Sequence, residues 1–359
     1  MKETKFKNTE IGMIPEEWEV KKLGTVFDIG NGRDYKHLNT GKIPVYGTGG
    51  LMTYVNEYLY DGETVCIGRK GTINMPQYHN GKIWTVDTLF YTYNFRKTDV
   101  KFLYYLAQII DWNAYNTATG VPSLTSRNVS NILVSLPPLH EQHRIASALT
   151  SIDNLISSLG KLIEKKKNIK QGAMQQLLTG RTRLKGFSEP WVEKKLGELF
   201  EIGNGKDYKN LKSGPIPVFG TGGLMTYVNE YLYDGETICI GRKGTIDKPQ
   251  YHKGKIWTVD TLFYTYRFKD INVKYLYYLS TTINWNEYNT ATGVPSLTSQ
   301  NILKIKVVLP LKEEQQAIAT ILTKMDDEIT ALEAKKVKYE AIKQGMMQQL
   351  LTGKIRLVS

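Results

Sequence analysis

Apolar positions in the first third of the chain recur in short runs, with polar and glycine-rich stretches between them. Val26–Ile29, Ile43–Tyr46, Glu63–Ile67, Ile83–Val86 and Leu89–Phe95 carry β-branched and aromatic side chains at the period of a strand. In the last run, Leu89, Tyr91, Tyr93 and Phe95 are predicted to share one face. Ile132, Val134 and Leu136 form a closing strand that stops at Pro137-Pro138. One helix interrupts the series, with Asp99 as its predicted N-cap and Leu103, Leu106 and Ile110 on its buried side.

Past the prolines the period changes. From Leu139 to Leu178 there is no proline, and Ile145, Leu149, Ile152, Ile156, Leu159 and Ile163 follow in alternating steps of four and three. That is a heptad seam. A helix over this stretch would run roughly 60 Å at 1.5 Å per residue. A globular unit of its neighbour's size is about 30 Å across, so the seam is expected to face another helix. Gly160 is a local weakness in it, costing about 1 kcal/mol against Ala.

The rest of the chain repeats the first part. Gly47–Thr64 recurs unchanged at Gly220–Thr237, an offset of 173 residues (220 less 47). The same offset relates Trp18 to Trp191, Gly81–Tyr93 to Gly254–Tyr266, Asn116–Ser126 to Asn289–Ser299, and Gly180 to Gly353, with no insertion or deletion. Asn272 takes the place of Asp99, and Leu199–Ile202 that of Val26–Ile29. The second seam is Ile318, Leu322, Met325, Ile329 and Leu332, and it breaks at Lys336. A period this long is too large for a solenoid and indicates two copies of a globular unit. The expected fold is therefore α+β. Two globular α/β domains (1–138 and 181–311) are each followed by a long helix (139–180 and 312–359), the helices packing as an antiparallel coiled coil with a pseudo-two-fold internal repeat.

Candidate chemistry lies in the turns. Gly30-Asn31-Gly32-Arg33-Asp34-Tyr35-Lys36 is matched by Gly203-Asn204-Gly205-Lys206-Asp207-Tyr208-Lys209. Asn-Gly predicts a tight turn with positive φ, presenting Asn31, Arg33, Tyr35 and Lys36 together, or Asn204, Lys206, Tyr208 and Lys209. Gly47-Thr48-Gly49-Gly50 lacks the Gly-Lys-Ser/Thr of a phosphate loop; it reads as a turn where backbone comes close to something, with Thr48 and Thr221 as contacts. Gly68-Arg69-Lys70-Gly71-Thr72 and Gly241-Arg242-Lys243-Gly244-Thr245 place two cations and a hydroxyl at a strand end. Arginine can address a guanine edge with two donors and lysine a phosphate. The hydroxyl-rich loop Thr117–Ser126 adds Ser123, with Arg127 just beyond it; the second copy has Ser296 and Gln300.

Bulk properties narrow the ligand. With 47 Lys and Arg against 35 Asp and Glu, the formal charge is +12, which attracts polyanions and above all nucleic acid. The two cysteines, Cys66 and Cys239, occupy the same position in apolar runs and are expected to be buried thiols, not a disulfide or metal site. No run is apolar enough to span a membrane, and the polar, charged start has no signal-peptide pattern. The protein is expected in the cytoplasm.

Both helices open on a related motif: Leu136-Pro137-Pro138-Leu139-His140-Glu141-Gln142-His143-Arg144-Ile145-Ala146, and Leu309-Pro310-Leu311-Lys312-Glu313-Glu314-Gln315-Gln316-Ala317-Ile318-Ala319. Ile152-Asp153 and Met325-Asp326 follow, and each half begins with a Trp and a Lys-Lys-Leu-Gly. Over its whole length the chain resembles the specificity subunits of type I DNA restriction–modification systems, although the second copy lacks one proline. The resemblance implies two target-recognition domains and a bipartite double-stranded DNA target. It also implies recruitment of two methyltransferase subunits and of restriction subunits, and no catalysis in this chain. S-adenosylmethionine, ATP and Mg would then sit on the partner subunits, with no cofactor or metal here. In agreement, the sequence has no Asn/Asp-Pro-Pro-Tyr/Phe motif for a flipped base and no nuclease cluster. The nearest alternative is a specificity subunit of another restriction class, whose partner fuses methylase and nuclease. A self-sufficient methyltransferase and a coiled-coil adapter without DNA are the remaining rivals. Because the two sets of turns are nearly the same, the half-sites are expected to be inverted repeats or nearly so. Residues 1–180 alone are expected to homodimerise.

Overall fold

The computed structural model describes residues 5–358. Met1–Thr4, part of the polar start, and Ser359, the last residue of the second helical segment, lie outside the described residues. The chain forms two compact units, one of residues 1–160 with 334–359 and one of 161–333. The division falls inside both long helices, so each unit holds one globular domain and a half of each helix.

The first unit opens on a ribbon of β1 (Phe6–Thr9) and β2 (Gly12–Pro15). Next come β3 (Glu19–Lys22), a 3-10 turn (Leu23–Thr25), β4 (Asp28–Asn31), β5 (Thr40–Gly47), β6 (Gly50–Val55), β7 (Tyr60–Gly68), β8 (Gln77–Thr85) and β9 (Leu89–Tyr93). α1 (Val100–Ile109), α2 (Ser126–Asn131), β10 (Leu133–Leu136) and α3 (Leu139–Leu177) complete the first repeat. The sheet order is β4-β9-β7-β8-β5-β6. All neighbours are antiparallel except β5 and β8, which run parallel with Val45 opposite Trp84. β10 pairs with β3 outside that sheet.

The second repeat follows the same plan: β11 (Val192–Lys195), a single turn α4 (Leu196–Leu199), β12 (Glu201–Asn204), β13 (Ile216–Gly220), β14 (Gly223–Val228), β15 (Tyr233–Gly241), β16 (Gln250–Thr258) and β17 (Leu262–Tyr266). α5 (Val273–Ser280), α6 (Ser299–Lys304), β18 (Lys306–Leu309) and α7 (Lys312–Leu350) follow. Its sheet order is β12-β17-β15-β16-β13-β14.

Local chemistry sets these elements. Asp99 caps α1 by accepting from the Phe102 amide at 2.7 Å, and Asn272 caps α5 from Tyr275 at 2.8 Å. Phe102, Leu103 and Leu106 of α1 enter a core with Trp18, Phe27, Ile67 and Phe90. Truncating such a leucine to Ala costs about 2–5 kcal/mol. β7 and β9 diverge beyond Cys66, and two threonines close the gap. Thr64 Oγ1 donates to the Thr92 carbonyl, while Thr92 Oγ1 accepts from the Val65 amide. Cys66 and Cys239 are buried free thiols, and burial pushes Cys66 up to about 12. Gly180 and Gly353, both at φ 70°, end the long helices.

Both long helices are antiparallel within each unit. In the first, Lys343 pairs with Asp153 at 2.7 Å, and Leu350 joins Ile145 and Leu149 in one core. In the second, Lys170 pairs with Asp326 at 2.5 Å, and Leu177 joins Ile318 and Leu322. Tyr105 and Tyr278 donate to the same two aspartates, each at 2.8 Å.

Four expectations need correction. Val26 and Leu199 are not strand residues. Val26 caps the 3-10 turn, which Thr25 Oγ1 closes on the Lys22 carbonyl, and Leu199 ends α4, where Glu198 reaches back to the Lys195 amide. Phe95 does not share a face with Leu89 and Tyr91. Asn94 takes φ 51°, breaking the alternation, and Phe95 packs on the main core beside Phe27. Gly30-Asn31-Gly32 is no positive-φ turn. Gly30 and Asn31 end β4, and Gly32 is glycine because the Val86 carbonyl lies 2.0 Å from where a Cβ would stand. Lastly, the seam is not purely helix against helix. Ile145, Leu149, Ile318 and Leu322 belong to the domain cores, because Gln142 and Gln315 bond the amides of Asp99 and Asn272 and lay each helix start on its own domain. Ile152, Leu159, Ile163 and Ile329 are buried beyond that point, while Ile156, Met325 and Leu332 are half-buried.

Candidate nucleic-acid interface

The turn between β5 and β6 is a tight hairpin with Gly47 opposite Gly50 and Thr48-Gly49 at its tip. Gly50 takes φ 105°, which only glycine adopts without strain. Gln77 Nε2 donates to the carbonyls of Gly47 and Thr48, at 2.9 and 3.4 Å, and locks the tip onto β8. Gln250 does the same for Gly220 and Thr221. His79 stacks on Tyr46 and His252 on Phe219, ring centroids 3.8 Å apart, and burial pushes both imidazoles down to about 4.

The other predicted loops converge on the turn between β8 and β9. Arg69 and Lys70 donate their amides to the Thr88 carbonyl, at 2.7 and 3.2 Å. Gly71 donates to Pro122, Leu124 donates to Arg69, and Lys70 bridges to Ser123. Asn116 Oδ1 accepts from the Ala118 and Ser123 amides and closes the hydroxyl-rich loop on itself. Arg33 donates its amide to Thr85 and accepts from the Trp84 indole, each at 2.8 Å. The Thr48 hydroxyl lies 3.8 Å from where a Cβ on Gly71 would stand. The structure thus gathers Arg33, Thr48, Arg69, Lys70 and Ser123 around one strand end, with the cationic side chains exposed.

The second repeat makes the same contacts and has a concave surface. A cleft of about 570 Å³ is lined by Asp207, Tyr208, Lys209, Gly220, Thr221, Gly222, Met225 and the turn Val259-Asp260-Thr261. Arg242 and Lys243 hang from the Thr261 carbonyl beside it, and Lys243 bridges to Ser296. The Arg242 guanidinium stands 5.8 Å over the Phe263 ring, as Arg69 stands 5.7 Å over Phe90. Each guanidinium also donates to a carbonyl of the neighbouring turn, Arg69 to Asp87 and Arg242 to Asp260, both at 3.4 Å, so each arginine is held by its ring contact and one bond on an otherwise exposed side chain. Lys206 holds its place through the Trp257 indole at 2.8 Å.

Some predicted residues sit apart. Arg127 and Gln300 are exposed on α2 and α6, with no bond to these loops. Thr72 and Thr245 are half-buried, their carbonyls 2.2 and 2.1 Å from where a Cβ on Gly68 or Gly241 would stand. Asn31 and Asn204 are exposed at the ends of β4 and β12. Tyr35 packs beside Val45 and Trp84 and has less freedom than a loop residue. Sequence reasoning missed the glutamines that lock the hairpin and the Leu51-Met52 pair next to it. The second had a signal: two adjacent apolar residues break a period-two strand.

Away from these loops, each unit also holds a buried ion pair between a glutamate at a long-helix start and an arginine past a long-helix end. Glu141, fully buried, accepts from Arg356 Nε and an Arg356 terminal nitrogen at 2.6 and 2.7 Å, and from the Trp18 indole at 3.1 Å. In the second unit Glu314 accepts from Arg183 twice at 2.7 Å and from Trp191 at 3.2 Å.

Both halves of the chain match one family of known proteins. The family model for the type I restriction modification DNA specificity domain matches residues 15–171 and again 188–342. The chain belongs to that family. It is 26% identical to the specificity subunit of the type I restriction enzyme MjaVIII of Methanocaldococcus jannaschii, over 99% of this chain and 97% of that protein. It is 28% identical to the putative type I restriction enzyme MjaX specificity subunit of the same organism, over 99% and 98%. Its fold matches the crystal structure of the type I restriction–modification S subunit from M. genitalium, with a TM-score of 0.69 at 19% identity over 93% and 96% of the two chains. In this family member the matched stretches contain every candidate loop. The β1–β2 ribbon lies before them except for Pro15.

Proposed function

We propose that this chain is the DNA-reading subunit of a type I restriction–modification complex, each repeat addressing one half of a bipartite target. The observation that carries this is the cluster of exposed cations, hydroxyls and glycine turns at one strand end, built twice with the same bonds. Lysines there would position phosphates, and the stacked arginines would reach base edges. The chain supplies no catalytic group; methyl transfer and cleavage, with their S-adenosylmethionine, ATP and Mg, fall to methyltransferase and restriction subunits recruited to it. Among the described residues no helix is long and apolar enough to cross a membrane.

The near identity of the two sets of loops favours a target whose halves are inverted repeats. Contacts in one unit have counterparts 173 residues away in the other, and exchanging the repeats leaves the design unchanged. An exchange of order two suits the dyads of a duplex. Arg33 against Lys206, His37 against Asn210, Asn74-Met75 against Asp247-Lys248, and Arg127 against Gln300 are the differences that would alter single base pairs. Mapping methylated adenines in DNA of the host tests this. A bipartite motif with matching inverted halves is expected, and two unrelated halves would refute the symmetry.

A further inference from the structure

β6 forms one edge of its sheet, and Leu51 and Met52 stand next to each other on it, 52% and 54% exposed. Leu224 and Met225 repeat this on β14 at 53% and 54%. Two adjacent apolar side chains cannot both face one core in a strand. Here neither is buried, and a register shift opposite Val45 and Tyr46, repeated at Val218 and Phe219, leaves Met52 and Met225 as the extra residues of a bulge, which breaks the alternation of faces. Gly47 gives way to methionine, the Met52 Sδ lying 2.7 Å from where a Cβ would stand, and Gln77 fixes the turn before it. Met225 lines the same cleft as Tyr208, Lys209 and Thr221. One member of the apolar pair thus sits in a polar cleft with Tyr208, Lys209, Thr221 and Thr261, which Asp207 and Asp260 also line, and the exposed Arg242 and Lys243 bond the Thr261 carbonyl of the same turn.

We propose that Leu51-Met52 and Leu224-Met225 are the apolar base-contacting elements of the two domains. They would meet the bases of bound double-stranded DNA in the groove while the lysines and arginines around them meet its phosphates. A duplex is anionic outside and apolar along its stacked bases and thymine methyl groups, which is the polarity of this surface reversed. Side chains of this kind also wedge into base steps in other DNA-binding proteins. The charge of +12 and the continuity with the cationic loops favour DNA over a second copy of the chain pairing along the open edge. The proposal rests on the DNA-reading function above and adds the residues that contact bases.

The test uses the full chain and a duplex it enriches from a randomised pool, with the fluorescent adenine analogue aminopurine placed along the enriched site. Replacing all four residues by Ala is expected to weaken binding at least about tenfold, as for anchor residues at other interfaces. The slope of log affinity against log salt should stay unchanged, because no phosphate contact is removed. The aminopurine signal near the contacted bases should fall. The exchange Leu51→Met, Met52→Leu with Leu224→Met, Met225→Leu should restore binding. A four-Ala variant with the parent's melting midpoint that binds within about twofold of the parent refutes the proposal. So does one whose salt slope drops, or one that changes self-association and leaves DNA binding alone. A parent chain that enriches no duplex overturns the DNA-reading function itself and this proposal with it.

Discussion

Replacing Arg356 by Met tests how the first unit is held shut. Glu141 has no exposed surface, and the Arg356 side chain is only 8% exposed. Two short bonds join them, at 2.6 and 2.7 Å, and the carboxylate holds the guanidinium firmly charged. Removing the arginine leaves a buried carboxylate with the Trp18 indole and the Leu357 amide as donors, and no cation. Breaking one side of a buried pair costs about 3–5 kcal/mol. The two surviving donors place this case near the lower end, about 3 kcal/mol, a large share of the stability of a domain. At about 2–4 °C per kcal/mol for a unit of this size, the melting midpoint should fall by roughly 6–12 °C. Differential scanning calorimetry on the full chain reads the shift. The double variant Glu141→Gln, Arg356→Met keeps an acceptor for Trp18 and needs no cation, so it should recover most of the loss. A single variant that melts within about 1 °C of the parent, or a double variant no better than the single, refutes the reasoning. Arg183→Met in the second unit should shift the midpoint less, since the Arg183 side chain is 27% exposed and water can take its place.

Three further outcomes are expected. Folded His79 and His252 stay neutral down to about pH 4, whereas unfolded imidazoles gain protons below about 6.5. Stability present at neutral pH is therefore lost as pH falls from 6.5 toward 4, by about 1–2 kcal/mol per ring by pH 5; thermal melts of His79→Phe, His252→Phe beside the parent should show a smaller loss, and equal slopes would contradict this. A fragment of residues 1–187 should dimerise through exchanged helices, its Arg183 taking the place of Arg356 against Glu141, whereas 1–180 lacks that arginine and should dimerise more weakly; equal sedimentation behaviour would show that the clasp is unimportant. Lys70→Ala with Lys243→Ala should lower the salt slope of duplex binding by about two and leave the preferred sequence unchanged, and a changed preference would move those lysines from phosphates to bases.

The periodic features were the most legible in the sequence. The change of period placed the starts of α3 and α7 at Leu139 and Lys312, but the expected segments ran on to 180 and 359 where the helices end at Leu177 and Leu350; Asp99 and Asn272 cap where local chemistry says they should. The hairpin at Gly47–Gly50 was equally open to reading, since glycine spacing after a β-branched run has few other solutions. Asn31-Gly32 misled because a glycine can serve close approach as readily as positive φ, and the Val86 carbonyl that requires it lies far along the chain. Val26 and Leu199 read as strand starts, but the Thr25 hydroxyl and the Glu198 carboxylate close the chain there into a helical turn. The convergence of Arg33, Arg69, Lys70 and Ser123 was visible only as a shared charge, because the bonds that join them run between loops. The buried glutamates gave no local signal at all, although the offset that makes Arg183 and Arg356 equivalent was present in the letters.

The way the compact units cut across the two long helices bears on synthesis. The first unit cannot close until residues 334–356 have left the ribosome, and by then every residue of the second unit has been made. At about 5–20 residues per second, the nascent N-terminal domain waits roughly 10–35 s for its missing helix half. The domain translated first is thus completed last, and through that interval its Leu149 face is open to a neighbouring chain on the same message, which carries an equivalent helix.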